Sequence, residues 1–236
     1  MKRAALWATI AATLRGEIAD GRYAPGAKLP TEAELSARFG VNRHTVRHAL
    51  QALEGDGLTH SRRGSGVFVK AKPTDYPIGR RVRFHQNLLA AGREPGRLVR
   101  QIETRPAGSE EAAALKLQSG AEVHVVEGTS LADGLPIAIF RSVFPAARFP
   151  ALAAALSENA SITAALASVG LTDYTRAWTR VTAKLASPTQ AVLLQVRDGT
   201  PILRSDSLNV DPEGSPVEFG KTWFAGERVT LTVAPD

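Results

Sequence analysis

Polar and cationic side chains gather in one short stretch of the sequence, at residues 42–48. Arg43 and Arg47 are four residues apart, so a helix places both on one face. Asn42, His44 and Thr45 belong to the start of the same stretch. Arginine can donate two hydrogen bonds to guanine in the major groove, and the first turns of a recognition helix reach the base edges. These residues therefore predict base reading, although two arginines on one face also suit an ordinary solvated surface.

A second cationic stretch lies in a predicted hairpin. Arg62 and Arg63 precede Gly64 and lie between two short β-prone runs, residues 58–61 and 67–69. Glycine lets the backbone approach DNA closely, and arginine side chains neutralise phosphates or enter the minor groove. The segment therefore predicts a wing whose tip contacts DNA.

Three predicted helices precede the hairpin and would hold these side chains in place. Residues 4–20 carry apolar side chains at helical spacing, and residues 31–39 open with a capping box formed by Thr31 and Glu34. Asn42 can cap the third helix, whose apolar stripe would pack inward while its polar face stays exposed. The order of helix, turn, helix and hairpin predicts a winged helix-turn-helix.

The composition describes a folded chain and excludes several kinds of chemistry. Of the 236 residues, 44% are hydrophobic and 22% are charged, and no run suits a membrane span or a secretory signal, so we expect a cytoplasmic protein without a membrane partner. The absence of cysteine excludes disulfides and thiolate sites, and with five scattered histidines we expect neither a metal nor a cofactor. The net charge of +6 is concentrated in residues 1–70, which hold eleven basic and six acidic side chains. Such a basic head permits a nucleic-acid partner.

The chain is long enough for two domains, and a proline-containing segment predicts where they meet. Residues 73–79 hold two prolines with little apolar periodicity, so we predict a linker there, a DNA-binding domain at 1–72 and a second, α/β domain at 80–236. Together the two domains give the α+β class. The predicted helices of the second domain are 83–91, 109–117 and 161–169, and its predicted strands are 123–131, 136–144, 177–186, 202–210 and 216–224.

Three strings in the first domain resemble the winged helix-turn-helix of GntR-type bacterial transcription regulators. They are PGAKLPTEAELS at 25–36, FGVNRHTVRHAL at 39–50 and GSGVFV at 64–69. The resemblance implies that Arg43 and Arg47 contact operator bases, that Thr45 contacts a phosphate and that Gly64 lies against the minor groove. An arginine that some members carry in the second helix is replaced here by Ala33, which implies a different operator preference.

The second domain resembles the effector domain of the HutC branch of that family, the UTRA domain, which shares the fold of chorismate lyases. Two strings, IGRRVRFHQNLL at 78–89 and FRSVFPAARFP at 140–150, are most similar to PhnF-type regulators of phosphonate metabolism. The resemblance implies a ligand-responsive repressor that senses a small anion such as a phosphonate or phosphate. A HutC-type regulator that senses a phosphosugar or an amino-acid catabolite is the alternative.

The same resemblance assigns a ligand pocket to individual residues. It implies contacts from Arg83 or His85, from a helix-opening serine at Ser161 and from Glu218. Helix starts are ready anion sites, but Ser161 would cap its helix with or without a ligand, and Glu218 on a strand would equally suit solvent.

Two further pocket positions carry small residues. The arginine pair that the branch uses as Arg-x-Arg aligns with Gly128 and Ser130. We expect Arg141, on the neighbouring predicted strand, to replace one of the missing cations.

The resemblance and the size of the DNA-reading unit bear on assembly and on other functions. A single winged helix makes few base contacts, so we expect a homodimer on a palindromic operator of double-stranded DNA. A lyase-like enzyme rests on fold similarity alone, and the second domain shows no Ser-His-Asp arrangement, paired carboxylates or metal spacing. An architectural DNA-binding protein would spread its basic charge along the whole chain. We therefore predict a regulator and not an enzyme.

Overall fold

The structure, a computed structural model, describes residues 5–62, 64–70, 73–81, 83–158 and 161–233. The chain divides into two units, Met1–Lys72 and Pro73–Asp236. Among the residues described, no helix has both the length and the apolar character that a membrane crossing needs.

The first unit is built on three helices whose apolar faces meet in one core. The predicted segments form α1 (Leu6–Ala19), α2 (Glu32–Phe39) and α3 (Arg43–Gly55). Leu14, Leu35 and Leu53 are fully buried where these helices meet. Burying a leucine contributes about 1.5–3 kcal/mol, so this core fixes the helices against one another.

Local hydrogen bonds set the turn between α2 and α3. Thr31 and Glu34 form the predicted capping box, in which Thr31 N–H donates to Glu34 Oε2 at 2.7 Å and Glu34 N–H donates to Thr31 Oγ1 at 3.3 Å. α2 ends at Gly40, whose φ of 64° lies in the left-handed region that favours glycine. Asn42 then starts α3, because its Oδ1 accepts a hydrogen bond from Thr45 N–H at 2.9 Å. The chain therefore carries its own signals for the helix-turn-helix.

A short hairpin follows α3, as predicted. Its strands pair antiparallel and are β1 (Thr59–Arg62) and β2 (Gly66–Val69). The turn uses left-handed backbone at Gly64 (φ 74°) and Gly66 (φ 112°). Leu29 N–H donates to Val67 O at 2.8 Å, so the hairpin is anchored to the chain that precedes α2.

A six-stranded antiparallel sheet forms the centre of the second unit. Its strands are β4 (Pro95–Pro106), β5 (Glu122–Ala132), β6 (Leu135–Pro145), β7 (Thr175–Leu185), β8 (Pro201–Val210) and β9 (Pro216–Ala225). Their spatial order is β4-β5-β6-β9-β8-β7. β5 and β6 meet at Asp133 and Gly134, whose φ values of 50° and 74° are typical of a two-residue hairpin turn.

Helices cover both faces of this sheet. They are α4 (Phe84–Ala90), α5 (Ser109–Leu115), α6 (Leu152–Glu158), α7 (Ile162–Ser168) and α8 (Pro188–Leu194). Ile139 and Phe140 are adjacent on β6 and therefore point to opposite faces. Ile139 packs with Leu194 of α8, whereas Phe140 packs with Leu166 of α7. A helical unit and a sheet covered by helices confirm the α+β class.

The segment predicted to be a linker is instead part of the second unit. Within residues 73–79, Thr74–Pro77 forms strand β3, which pairs in parallel with β10 (Val229–Thr232). Tyr76 in this strand is buried against the sheet. Pro77 is tolerated because β3 belongs to a two-stranded sheet and is therefore an edge strand. The expectation of a semi-rigid linker is therefore wrong for these residues, and residues 71 and 72 lie outside those described.

Candidate functional site

The exposed face of α3 carries the residues predicted to read DNA. Asn42, Arg43, His44 and Arg47 are exposed, whereas Val46 on the opposite face is fully buried. The helix begins at Arg43, so the N–H groups of its first turn have no acceptors within the helix. Asn42 satisfies part of this set. This face can therefore present cationic and N–H donors to a groove.

Arg47 is held by a residue that the sequence did not single out. Glu32, in the first turn of α2, accepts from Arg47 Nε at 2.9 Å and from Arg47 Nη2 at 2.8 Å. The hydrogen bond from Arg47, assisted by its positive charge, lowers the pKa of Glu32 below its usual value. No spacing rule relates residues on two different helices, so only the folded helix pair shows this contact.

Thr45 is engaged within the protein. Its hydroxyl donates to Asn42 Oδ1 at 2.9 Å, the same oxygen that caps α3. A phosphate accepts hydrogen bonds, so the implied phosphate contact requires the hydroxyl of Thr45 to turn away from Asn42.

The wing is described in part. Gly64 is exposed in the turn and the backbone of Arg62 belongs to β1, while the side chain of Arg62 and the whole of Arg63 lie outside the described structure. Exposed Lys28 lies beside the same turn, because a Cβ at Gly66 would be 2.7 Å from Lys28 Cε. An isolated bridge from Lys28 to β2 brings it there, and the sequence analysis had missed this further cation.

A polar cavity of about 100 Å³ lies between the sheet and helices α4 and α7. Alternate residues of neighbouring strands form its sheet wall, because every second side chain of a strand points to the same face. Hydroxyl groups of Ser142, Ser207 and Thr222 line it, together with the rings of Phe140 and Tyr174. The cavity thus combines hydrogen-bonding groups with aromatic walls.

Four of the predicted ligand residues line this cavity. They come from four separate elements: His85 on α4, Ser130 on β5, Ser161 at the start of α7 and Glu218 on β9. Ser161 also caps α7, since its Oγ accepts from Ala164 N–H at 3.3 Å. The fold therefore brings together residues that are far apart in the sequence.

Arg141 is on the other face of the sheet, so the expectation that it supplies a cation to this cavity is wrong. It follows Phe140 on β6, and adjacent residues of a strand face opposite sides. Its guanidinium pairs with Glu127 and lines a separate hollow that includes Lys221 and Trp223. The sheet itself separates Arg141 from the cavity.

Arg83 lies behind the cavity wall and does not line the cavity. Its guanidinium carbon is 3.7 Å from the centroid of the Tyr174 ring, and its Nη2 donates to Tyr174 O at 3.0 Å. Tyr174 lines the cavity, so Arg83 supports a wall residue. Of the alternatives Arg83 and His85, His85 is the one that faces the cavity.

Arg97 is one of two cavity arginines that were not predicted. It lies on β4 directly across the ladder from Ser130. Its guanidinium carbon is 5.0 Å from the centroid of the Phe84 ring and 4.5 Å from that of Phe140. The guanidinium is therefore placed between two aromatic rings.

Arg176 on β7 is the second unpredicted arginine. Its Nε donates to Asn209 Oδ1 at 2.7 Å and its Nη1 donates to Thr179 Oγ1 at 3.0 Å. The Nδ2 of Asn209 donates in turn to Glu218 Oε2 at 2.7 Å. This chain of hydrogen bonds fixes the position of the Glu218 carboxylate.

Burial sets the protonation states around the cavity. Burial lowers the pKa of His85, and the charge of Arg97 lowers it further, so the imidazole is neutral at neutral pH. Burial raises the pKa of Tyr76 to about 12, so its hydroxyl stays protonated. Burial also lowers the pKa of Arg97 and of Arg176, but arginine starts so high that both remain cations. Two guanidinium groups and one carboxylate therefore remain to recognise a polar ligand.

Among the residues that the structure describes, no group of three or more His, Asp or Glu side chains is placed to hold a metal ion.

The sequence matches two family models, one in each unit. The model described as "Bacterial regulatory proteins, gntR family" matches residues 6–69, and the UTRA domain matches residues 90–230. The chain belongs to the GntR family of bacterial transcription regulators, which bind DNA through a helix-turn-helix, and it carries a UTRA domain.

The chain is also similar to individual proteins over nearly its whole length. An uncharacterized HTH-type transcriptional regulator of Rhizobium meliloti is 39% identical, covering 97% of this chain and 94% of that protein. The probable transcriptional regulator PhnF of Escherichia coli is 31% identical, covering 95% of this chain and 92% of that protein. The structure is also similar to the crystal structure of PhnF from Mycobacterium smegmatis, with a TM-score of 0.63 and 26% sequence identity. The match covers 98% of this chain and 99% of that chain. These findings confirm the predicted similarity to PhnF-type regulators.

Proposed function

We propose that the protein is a ligand-responsive repressor of a metabolic operon for phosphonate uptake or degradation. One observation carries the proposal: a single chain combines a helix-turn-helix with exposed arginines and a second unit that encloses a cationic cavity. The relatives named PhnF support phosphonate metabolism, and several relatives are named repressors. Relatives named for a mannosyl-D-glycerate system and for a fructoselysine utilization operon support the alternative, a related regulator that senses another small metabolite such as a phosphosugar or an amino-acid catabolite.

DNA reading is assigned to the first unit. Arg43, His44 and Arg47 contact base edges from the exposed face of α3, and Asn42 and Thr45 lie where a phosphate passes the start of that helix. The wing residues Arg62, Arg63 and Gly64 approach the adjacent groove. A homodimer brings two such units to the two halves of a palindromic operator, because one unit offers too few base contacts for specific affinity.

Effector sensing is assigned to the cavity of the second unit. His85, Ser130, Ser161 and Glu218 contact a small anion there. The ligand changes operator affinity only if it binds the DNA-competent and incompetent states of the dimer with different affinity. The proposal requires tighter binding to the incompetent state, so that the ligand releases the operator.

Operator binding by the full-length protein tests this function. A duplex is selected from random sequences, and its affinity is measured by fluorescence anisotropy at fixed salt beside a scrambled duplex. Arg43→Ala should weaken binding to the selected duplex by about 1–3 kcal/mol and to the scrambled one much less. Arg22→Ala, which removes an exposed arginine beyond the carboxyl end of α1, serves as the matched control.

Two results contradict the assignment. Equal losses on both duplexes would make Arg43 a phosphate contact only. The proposal of a ligand-responsive repressor is contradicted if no palindromic duplex is selected. It is also contradicted if no phosphonate, phosphosugar or amino-acid catabolite releases the operator.

A further inference from the structure

We propose that the cavity of the second unit binds a small zwitterion, with an oxyanion at Arg97 and an ammonium group at Glu218. The assignment rests on the proposed ligand-sensing function and specifies the chemistry of the ligand. It concerns Arg97 above all, a residue for which neither the motifs nor the family similarity suggested a role.

Arg97 has a donor without an acceptor. Its Nε is buried and has no hydrogen-bond partner among the residues described. The groups that flank the guanidinium are the rings of Phe84 and Phe140, which attract a cation but offer no oxygen to its N–H groups. A buried charged donor that lacks an acceptor is costly, so native proteins rarely leave one unmatched. An oxyanion in the cavity would accept from this N–H and meet its charge.

The neighbouring strand is shaped to let Arg97 reach the cavity. Ser130 is directly opposite Arg97 in the β4–β5 ladder, and its small side chain leaves the space beside it open. At Gly128 a Cβ would lie 2.7 Å from Phe140 Cζ and 2.3 Å from Leu98 O, so only glycine allows the ring of Phe140 to pack on β5. The guanidinium of Arg97 lies over that ring. The small residues on β5 therefore leave room for the guanidinium of Arg97 to reach the cavity from β4.

Glu218 forms the other end of the site. Its Oε2 accepts from Asn209, whose amide oxygen accepts in turn from Arg176, so both partners fix the orientation of Asn209. The group that contacts the Glu218 carboxylate is thus a neutral amide, and within the described structure no cation forms an ion pair with it. An ammonium group of the ligand would supply a charge-assisted hydrogen bond there.

The charges of the cavity select for a ligand that is an anion overall. Arg97 and Arg176 are two cations against the single carboxylate of Glu218, and His85 is neutral. A doubly charged oxyanion joined to one ammonium group balances the remaining positive charge. A simple amine would leave Arg97 Nε without an acceptor, and a simple anion would leave Glu218 beside a negative ligand.

Calorimetry with four probes tests both ends of the site on the full-length protein. The zwitterions are 2-aminoethylphosphonate and β-alanine, ethylphosphonate lacks the amine, and ethanolamine lacks the oxyanion. 2-Aminoethylphosphonate, whose net charge is negative, should bind about ten-fold or more tightly than either truncated probe. β-Alanine, which carries no net charge, should bind more weakly than 2-aminoethylphosphonate, and this comparison distinguishes a phosphonate from a carboxylate as the anion. Ethylphosphonate or ethanolamine binding as tightly as the zwitterions overturns the proposal, and so does the absence of binding by both zwitterions.

Variants locate the two ends. Arg97→Gln should weaken zwitterion binding by about ten-fold or more, whereas Arg141→Gln, a cation on the opposite face of the sheet, serves as the matched control and should leave it unchanged. Glu218→Gln should abolish the preference for the zwitterion over its amine-free analogue, and this readout stands even if Arg97→Gln folds poorly. An Arg97→Gln variant that melts and binds as the parent does would refute the anion site.

Operator binding measured on the same samples separates this proposal from the function on which it rests. If the protein binds the zwitterion but shows no selective operator binding, the cavity assignment stands and the proposed repressor function is contradicted. Selective operator binding without any zwitterion affinity leaves the regulator intact and removes the assignment made here for Arg97.

Discussion

Glu32 and Arg47 form a pair in which a side chain predicted to read DNA is already held before DNA binds. The carboxylate meets the guanidinium through two parallel hydrogen bonds across the turn between α2 and α3. The side chain of Arg47 is 54% exposed, so such a pair adds little to folding stability. Its effect belongs to recognition, because rotamer freedom that is restricted beforehand is not lost on binding.

Glu32→Gln should therefore change DNA selectivity and leave folding intact. The variant removes a negative charge near the DNA and loosens Arg47, so binding to scrambled duplex should strengthen while the preference for the operator falls by about 1–3 kcal/mol at most. Anisotropy with both duplexes at several salt concentrations measures the two effects. Glu122→Gln, an exposed carboxylate in the second unit, is the control. An unchanged preference would mean that Glu32 does not orient Arg47.

Glu111 shows a residue whose charge serves the fold of the second unit. Both of its carboxylate oxygens accept from Arg105 at 2.8 Å, and Oε2 also accepts from Gly108 N–H at 2.8 Å at the start of α5. These hydrogen bonds, led by those from Arg105, outweigh burial and lower the pKa of Glu111. A carboxyl whose pKa is lowered by folding stabilises the folded state above its unfolded pKa, and that stabilisation is lost as pH falls through the folded value.

Glu111→Gln should accordingly destabilise the second unit at neutral pH by about 1–3 kcal/mol, the range for a hydrogen-bonded charged group. The difference from the parent should shrink as pH falls below about 4.5, the ordinary value for a glutamic acid side chain. Thermal unfolding followed by circular dichroism at pH 7 and in this acidic range provides the comparison. A difference that stays constant with pH would show that shape, and not charge, explains the loss.

At the level of helices and strands, the sequence predicted the elements that carry strong local signals. The capping box at Thr31, the cap at Asn42 and the turn at Asp133 each fix their geometry through neighbouring residues. Helix α8 also begins with such a signal, a capping box formed by Ser187 and Gln190 with Pro188 in the first turn, and the sequence analysis did not use it.

Strand β4 escaped prediction for a different reason, and Arg97 was missed with it. It is an edge strand that is partly exposed along its length, so polar and apolar residues do not alternate cleanly. A register shift between Val99 and Gln101 also interrupts its period of two. The expectation for Arg141 was wrong because successive side chains of a strand point to opposite faces of the sheet. Arg141 and Glu127 share the face opposite to Ser130.

The wing gives a prediction at the level of the hairpin. Arg62→Gln combined with Arg63→Gln should flatten the slope of log K against log salt by up to about two units, because each phosphate contact releases about one counterion. Salt titrations of operator binding measure the slope. Lys116→Gln combined with Lys184→Gln removes the same charge from exposed positions of the second unit and should leave it unchanged. Equal slopes for the parent and the wing variant would place the wing away from DNA.

At the level of the whole molecule, the sheet of the second unit separates two environments. One face holds the cavity with Arg97, Arg176 and Glu218, and the other holds the paired charges of Arg141 and Glu127. The proposed ligand contacts therefore lie on one side of the sheet. The opposite side remains for the contacts that the proposed homodimer requires, so changes there should affect assembly without changing ligand selectivity.

The proposed coupling between ligand and operator is reciprocal by thermodynamic necessity. If a saturating ligand weakens operator binding by some factor, saturating operator must weaken ligand binding by the same factor, which for allosteric proteins is typically about 5- to 150-fold. Anisotropy at saturating ligand gives the first factor, and calorimetry of the ligand with the operator complex gives the second. We expect the two factors to agree, and Arg97→Gln to weaken ligand binding to both states while the operator affinity of the ligand-free protein stays the same. Complete loss of ligand binding to the operator complex, in place of a finite factor, would mean that the ligand competes with DNA for the same surface, and the cavity would then not be the sensor.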